Sequence, residues 1–134
     1  MAKKQEYLQK NADYLEALRH EADIVELPAG VLCRVMQSGD PEGRRPDIRS
    51  VVTVHYTGRL INGRVFDDTR RAGVPAALRL KDLIAGWQIA VPRMHVGDRW
   101  IVYIPAEYGY GKRAVGQIPA NSTLVFDIEL VGIA

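Results

Sequence analysis

The chain of 134 residues has one cysteine, Cys33, two phenylalanines, Phe66 and Phe126, three histidines and no apolar run of membrane-spanning length. A single thiol excludes an internal disulfide framework and leans towards a reducing compartment. Cys33 lies in an apolar–polar alternation with no His or Asp arrayed around it as for a nucleophile, so it reads as a packed strand thiol. His20, His55 and His95 are scattered and, even with the cysteine, offer no ligand spacing for a metal. No serine stands in an elbow motif, which leaves hydrolase chemistry without a nucleophile. Charge of one sign is also lacking. Eighteen Lys and Arg face sixteen Asp and Glu, a balance of +2 that makes no case for nucleic acid or a membrane surface. The pairs Arg44-Arg45 and Arg70-Arg71 lie among turn formers and read as solvated loops. Met-Ala-Lys-Lys runs on into polar residues without the apolar core of a signal peptide. Cytoplasm is the expected location, with periplasm the alternative where a signal peptide has been removed. No cofactor is expected.

What is present is organised around Leu83–Val91, nine residues whose Leu83, Ile84, Trp87, Ala90 and Val91 recur at helical spacing. So short a helix is marginal in water without tertiary packing. Asp82 is the natural N-cap, and Pro92 discourages continuation past Val91. Strands flank this stretch, so the economical picture is one short helix in the concave face of a sheet. Trp87 is then half core and half pocket floor.

Residues 3–20 read as an amphipathic helix with a stripe of Tyr7, Leu8, Asn11, Tyr14, Leu15 and Leu18. That stripe needs a neighbour, either the outer face of the sheet or a second copy in a weak homodimer. Strands are expected at Ile24–Leu27, Val31–Gln37, Val51–Ile61 and Arg99–Ile104, with Ala77–Leu80 pairing briefly. A final strand runs from Ser122 to Val131. Asn62-Gly63 predicts a type I′ hairpin turn, returning through Arg64, Val65 and Phe66. Residues 38–49 and 67–75 read as loops. Residues 105–121 hold too many breakers for regular structure, and a loop of that length is usually functional. Ile101 and Tyr103 form an apolar pair pointing away from Trp100, Val102 and Ile104, a surface for the amino-terminal helix to cover.

One concavity follows, floored by Trp87 and walled by Tyr56, Phe66, Leu83, Ile84, Tyr110, Ile118 and Phe126. It is aromatic and nearly uncharged. Asp67 directs a carboxylate to its rim or, alternatively, caps a turn with Asp68 and Thr69.

Five segments in order carry a resemblance: Val54-His55-Tyr56-Thr57-Gly58, Gly63-Arg64-Val65-Phe66-Asp67, Leu83-Ile84-Ala85-Gly86-Trp87, Tyr108-Gly109-Tyr110-Gly111, and Ile118 through Asp127. Together they resemble the FKBP-type peptidyl-prolyl cis/trans isomerases over about residues 22–133. The preceding helix and the Leu27-Pro28-Ala29-Gly30 entry resemble the bacterial macrophage infectivity potentiator branch. The resemblance implies an α+β fold, an antiparallel β-sheet wrapped around one short helix. It divides the chain into an N-terminal amphipathic helix at 1–21 and an isomerase domain at 22–134. It implies that Asp67, Tyr110 and Ile84 are catalytic, offering a carboxylate, a phenol and a backbone N–H. Tyr56, Phe66, Leu83, Trp87, Ile118 and Phe126 are then the substrate-binding walls. Proline-containing polypeptides are the implied substrates, and macrolides such as rapamycin the implied inhibitors.

The sequence also departs from the family pattern. Pro75-Ala76-Ala77-Leu78 lacks a phenylalanine, which predicts a wider pocket and weaker macrolide binding. Ala72 stands where an arginine often pairs the rim aspartate, so Arg70 or Arg71 is expected to substitute. The loop at 112–117 lacks the Pro-Gly often found before Ile118-Pro119.

The chemistry is consistent with this residue set. Rotating an X-Pro bond needs no nucleophile, proton shuttle or metal, only an amide twisted out of plane against a barrier of about 20 kcal/mol. A dry apolar cup favours the twisted form, in which charge-separating resonance is lost. The alternative function is a non-catalytic chaperone or binding module that holds proline-containing apolar segments in the same cup.

Overall fold

The period-two alternation of the strand sequences sets the architecture. In Arg99–Ile104 (β6), Trp100, Val102 and Ile104 are buried on one face, while Tyr103 is buried on the other and Ile101 is half-buried beside it. Val51–Arg59 (β3) buries Val52 and Val54 on its inner face, and Leu124–Ile133 (β7) buries Leu124, Phe126, Ile128 and Leu130. A computed structural model describes residues 2–134; Met1, the start of the polar amino terminus, lies outside them.

The remaining strands are Ile24–Glu26 (β1), Leu32–Gln37 (β2), Val65–Asp68 (β4) and Ala76–Arg79 (β5). All seven join one antiparallel sheet in the order β1-β2-β6-β7-β3-β4, with β5 also paired to β3. The first half of β3 pairs with β5 and its second half with β4, on the edge opposite β7. This curls the sheet around its inner face.

Inside that curve lies Ala85–Ala90 (α3), six residues with Trp87 and Ala90 buried. It is shorter than expected and capped differently. Leu80–Asp82 forms its own 3₁₀ turn, so Asp82 is not the N-cap; Ile84 takes that position with no side-chain hydrogen bond. The α-helix ends at Ala90 with Val91 as its C-cap, as Pro92 indicated, and Pro92 then occupies the first turn of a 3₁₀ segment at Val91–Arg93, where its missing N–H costs nothing.

Ala2–Arg19 (α1) matches the expected amphipathic helix and covers the outer face of the sheet, the first of the two neighbours expected for its stripe. Leu15 and Leu18 pack with Leu32 and Tyr103, and Tyr14 lies 6.2 Å from Tyr103 between ring centroids. Asn11 is buried, but Leu8 turns out to be 50% exposed, so the stripe is narrower than its spacing suggests.

Two turns differ from expectation. Leu60–Gly63 closes with a Gly63 N–H to Leu60 carbonyl bond of 2.9 Å and positive φ at Gly63 alone. This is a type I turn with a left-handed glycine after it, not the two-residue I′ turn. The segment at 67–75 is not a loop throughout: β4 runs to Asp68, then Thr69–Ala72 (α2) makes one helical turn capped by Asp68, whose carboxylate accepts from the Arg70 N–H at 3.0 Å. Cys33 is buried on β2, as its alternation indicated. No helix among the described residues is long and apolar enough to cross a membrane.

Candidate functional site

The inner face places four aromatic rings in edge-to-face contact. Tyr56 on β3 lies 5.1 Å from Trp87 on α3, Trp87 5.4 Å from Phe126 on β7, and Phe126 5.6 Å from Phe66 on β4, all near perpendicular. Such pairs add about 0.5–1.5 kcal/mol each beyond burial, so the floor is a rigid mosaic. Two glycines allow the close approach. A Cβ at Gly58 would stand 2.7 Å from the Phe66 ring, and one at Gly86 would stand 2.4 Å from Ile104.

Over this floor opens a cavity of about 450 Å³, within the usual range of small-ligand sites. Every residue singled out from the sequence lines it: Asp67, Tyr110, Ile84, Tyr56, Phe66, Leu83, Trp87, Ile118 and Phe126. Trp87 is only 3% exposed, so the indole is far more core than floor. Leu78, from the segment expected beside the pocket, and Val115, Gly116 and Gln117, from the loop before Ile118, also line the cavity without having been singled out individually, and Asp82 was missed altogether. The inward side of β5 could have indicated Leu78 by alternation. Asp82 had been assigned to a cap, and the loop residues carry no periodic signal.

Asp67 is held by one strong contact. The Tyr56 hydroxyl donates to its Oδ2 at 2.5 Å, which aims the carboxylate over the rim. Burial, and then the bond to Asp67, push the Tyr56 phenol well above the usual tyrosine range, so it remains a neutral donor. The capping alternative belongs to the neighbouring Asp68 alone. Tyr56 is itself fixed from behind: its N–H donates to Thr69 Oγ1 at 2.8 Å, and that hydroxyl returns a bond to the Tyr56 carbonyl at 3.2 Å.

Arg70 does not pair with Asp67, contrary to expectation. It reaches across β3 to Asp127 at 3.4 Å, where Arg99 also forks onto the carboxylate at 3.0 and 2.8 Å. The reason is geometric, since the α2 turn capped by Asp68 carries Arg70 to the outer side of β3, next to Thr57 Oγ1 at 3.2 Å. His55 faces the same side, 3.3 Å from Thr69 Oγ1, and away from the cup.

The N–H of Ile84 donates to no acceptor among the described residues, because it precedes the first turn of α3. Tyr110 is 38% exposed at the opposite lip, with its hydroxyl unengaged among the described residues. The site thus combines an aromatic floor, one aimed carboxylate, one free backbone donor and one free phenol. No group of three metal-ligating side chains occurs among the described residues.

Comparison with known proteins places these features in context. The sequence profile of the family described as "FKBP-type peptidyl-prolyl cis-trans isomerase" matches residues 42–131. The chain is 38% identical to "Peptidyl-prolyl cis-trans isomerase Mip" of Coxiella burnetii over 93% of its own length and 54% of that protein's. It is 43% identical to "FK506-binding protein 1" of Yarrowia lipolytica over 78% of its length and 98% of that protein's. Among solved structures, a peptidyl-prolyl cis-trans isomerase of Pseudomonas syringae pv. tomato superposes with a TM-score of 0.89 at 30% identity, covering 97% of this chain and 95% of that one. The chain spans about half the length of the curated Mip relatives it matches.

Proposed function

The chain belongs to the FKBP-type peptidyl-prolyl cis-trans isomerase family, in its Mip-like branch, and from that premise we propose that it accelerates rotation about X-Pro bonds in folding polypeptides. One observation carries the reading: all nine residues assigned to catalysis and substrate binding line a single cavity. The prolyl ring sits over Trp87 between Tyr56, Phe66 and Phe126, with Leu83 and Ile118 closing the sides. Exclusion of water from the amide disfavours its planar, charge-separated form relative to the twisted one. The Ile84 N–H and the Tyr110 hydroxyl hold substrate carbonyls. Asp67, kept over the rim by Tyr56, attracts the carbon end of the carbonyl as it leaves the amide plane. No proton moves, so kcat/KM is expected to vary less than about twofold between about pH 6.5 and 8.5.

The division into a helix at 1–21 and an isomerase domain at 22–134 is part of this proposal; no α1 residue lines the cup, while β1 and β2, which precede the family profile's start at residue 42, pair into the same sheet as the rest. Macrolides such as rapamycin are expected to compete for the cup, weakly, because the β5 wall offers Leu78 and no aromatic ring. That same wall favours a second reading, a non-catalytic chaperone for proline-containing apolar segments. Association of two copies through α1 rests on little more than the exposed Leu8, and a monomeric mass in sedimentation at tens of micromolar protein overturns it. The cytoplasmic location rests on Cys33 being a lone thiol, and recovery in a periplasmic fraction overturns that.

The deciding measurement follows cis-to-trans relaxation of a Leu-Pro peptide by exchange NMR, with Asp67→Ala and Tyr110→Phe variants. Acceleration suppressed by rapamycin in large excess and reduced in both variants is the expected result. Peptide binding without acceleration moves the chaperone reading to first place.

A further inference from the structure

Helix α1 covers the outer face of the sheet, yet two of its side chains are tied to the chain that builds the wall of the cup. The Tyr7 hydroxyl lies 2.7 Å from Ser122 Oγ, which lies 2.7 Å from the Pro119 carbonyl. A carbonyl only accepts, and a serine hydroxyl has one proton, so Ser122 donates to Pro119 and Tyr7 donates to Ser122. Asn11, 3% exposed, accepts the Thr123 N–H at 2.7 Å and donates its amide to the Tyr7 carbonyl at 2.8 Å. The buried amide therefore grips the residue after Ser122 and steadies the turn that carries Tyr7.

Beyond Pro119 stands Ile118, whose N–H and carbonyl both pair with Val115, at 2.8 and 2.9 Å. This bridge shapes the 115–118 wall of the cavity. Between wall and helix, Asn121 holds a φ of +63°, a conformation uncommon outside glycine, with its N–H bonded to the Gly111 carbonyl at 2.7 Å. Asparagine tolerates this left-handed conformation, so the link can be held in one shape at little cost.

We propose that Tyr7 and Asn11 are positioning residues for the substrate wall at 115–118, so that the helix outside the sheet sets how tightly the cup binds substrate. The inference rests on the isomerase reading above. Its physical content is a population argument. If the wall is in its binding shape for only a fraction of the time, apparent affinity falls by that fraction, while every filled site is already in that shape. Loosening the tether therefore raises KM and leaves kcat alone. A merely destabilising change reduces the amount of folded enzyme and does the reverse.

The test is saturation kinetics on a Leu-Pro peptide with Tyr7→Phe, which removes one hydroxyl and keeps the ring, together with Ser122→Ala, the double variant and an exposed control, Lys10→Ala. We expect KM to rise about three- to tenfold in Tyr7→Phe, the range of one neutral hydrogen bond, with kcat within about twofold. Amide hydrogen exchange at Ile118 should quicken in parallel, and Lys10→Ala should match the unsubstituted protein. Because Tyr7 acts through Ser122, the double variant should equal Ser122→Ala alone. An unchanged KM, a fall in kcat alone, or additive effects in the double variant each overturn the inference. Failure of the unsubstituted protein to accelerate relaxation sinks the isomerase reading and takes this inference with it, and is recognised because it needs no substitution.

Discussion

The inner and outer faces of the sheet are built by the same strands and the same alternation, but they hold their helices by different means. Inside, α3 is held by its buried face, Gly86, Trp87 and Ala90, with Trp87 wedged between two rings and no side-chain cap at the N-terminus. Its side-chain polar bonds are local, from Gln88 Nε2 to the carbonyls of Leu83 and Lys81. Outside, the eighteen residues of α1 touch the sheet along one narrow stripe, and polar bonds from Tyr7 and Asn11 accompany the leucines. Apolar contact is non-directional. An enclosed helix is fixed by the shape around it, whereas a helix on an open face can slide unless directional bonds fix its register.

That contrast can be broken most severely at Trp87. Trp87→Ala should cost about 3–5 kcal/mol in urea unfolding, because the ring is buried against Tyr56 and Phe126, and should abolish peptide binding as well. The alkaline limb of stability sharpens the comparison next. On the inner side, burial pushes the Cys33 thiol up to about 11 from 9.0. The folded chain keeps that proton after the unfolded chain has lost it, so the full contribution is present below pH 9 and stability falls by about 3 kcal/mol as pH rises to 11. Cys33→Val should flatten the first part of this limb, below about pH 10, in denaturant titrations. On the outer side, burial raises the Tyr14 and Tyr103 phenols, so their contribution begins to fall near pH 10, where the unfolded phenols ionise.

A smaller effect is expected outside. Leu18→Ala should cost about 2–3 kcal/mol by thermal or urea unfolding and leave kcat intact, since Leu18 packs with Leu32 and Tyr103, remote from the cup. Smallest is Gly58→Ala. The added methyl meets the Phe66 and Phe126 rings at 2.7 and 2.8 Å and must shift them, costing about 1–2 kcal/mol. Peptide affinity should drop measurably, even though the stability change is below that of Leu18→Ala. Equal loss of peptide binding in the Leu18 and Gly58 variants would erase the distinction between the faces.

Much of this was legible in the residues. Alternation in Arg99–Ile104 assigned both faces of that strand correctly, because pleating forces side chains to opposite sides whatever the rest of the chain does. The walls of the cup were gathered from the apolar pattern of its strands and short helix, and the resemblance to a family pattern added the roles of Asp67, Ile84 and Tyr110. Short elements were less legible. Asp82 and Asp68 are both good capping residues, yet only Asp68 caps, since the 3₁₀ turn at Leu80–Asp82 takes Asp82 away from the helix start.

By itself the sequence determined the strand faces, the amphipathic stripe of α1, the isolation of Cys33 and the aromatic character of the cup, but not its second carboxylate, Asp82. These follow from local periodicity and composition, which act over a few residues. Only the tertiary structure decided that α1 lies on the sheet, that Arg70 serves Asp127 and leaves Asp67 to Tyr56, and that Tyr7 reaches Ser122. Those partners are 57 and 115 residues apart in the chain for the Arg70 and Tyr7 contacts. No local pattern encodes such a pairing, because it exists only once the sheet has curled and brought distant backbone within hydrogen-bonding reach.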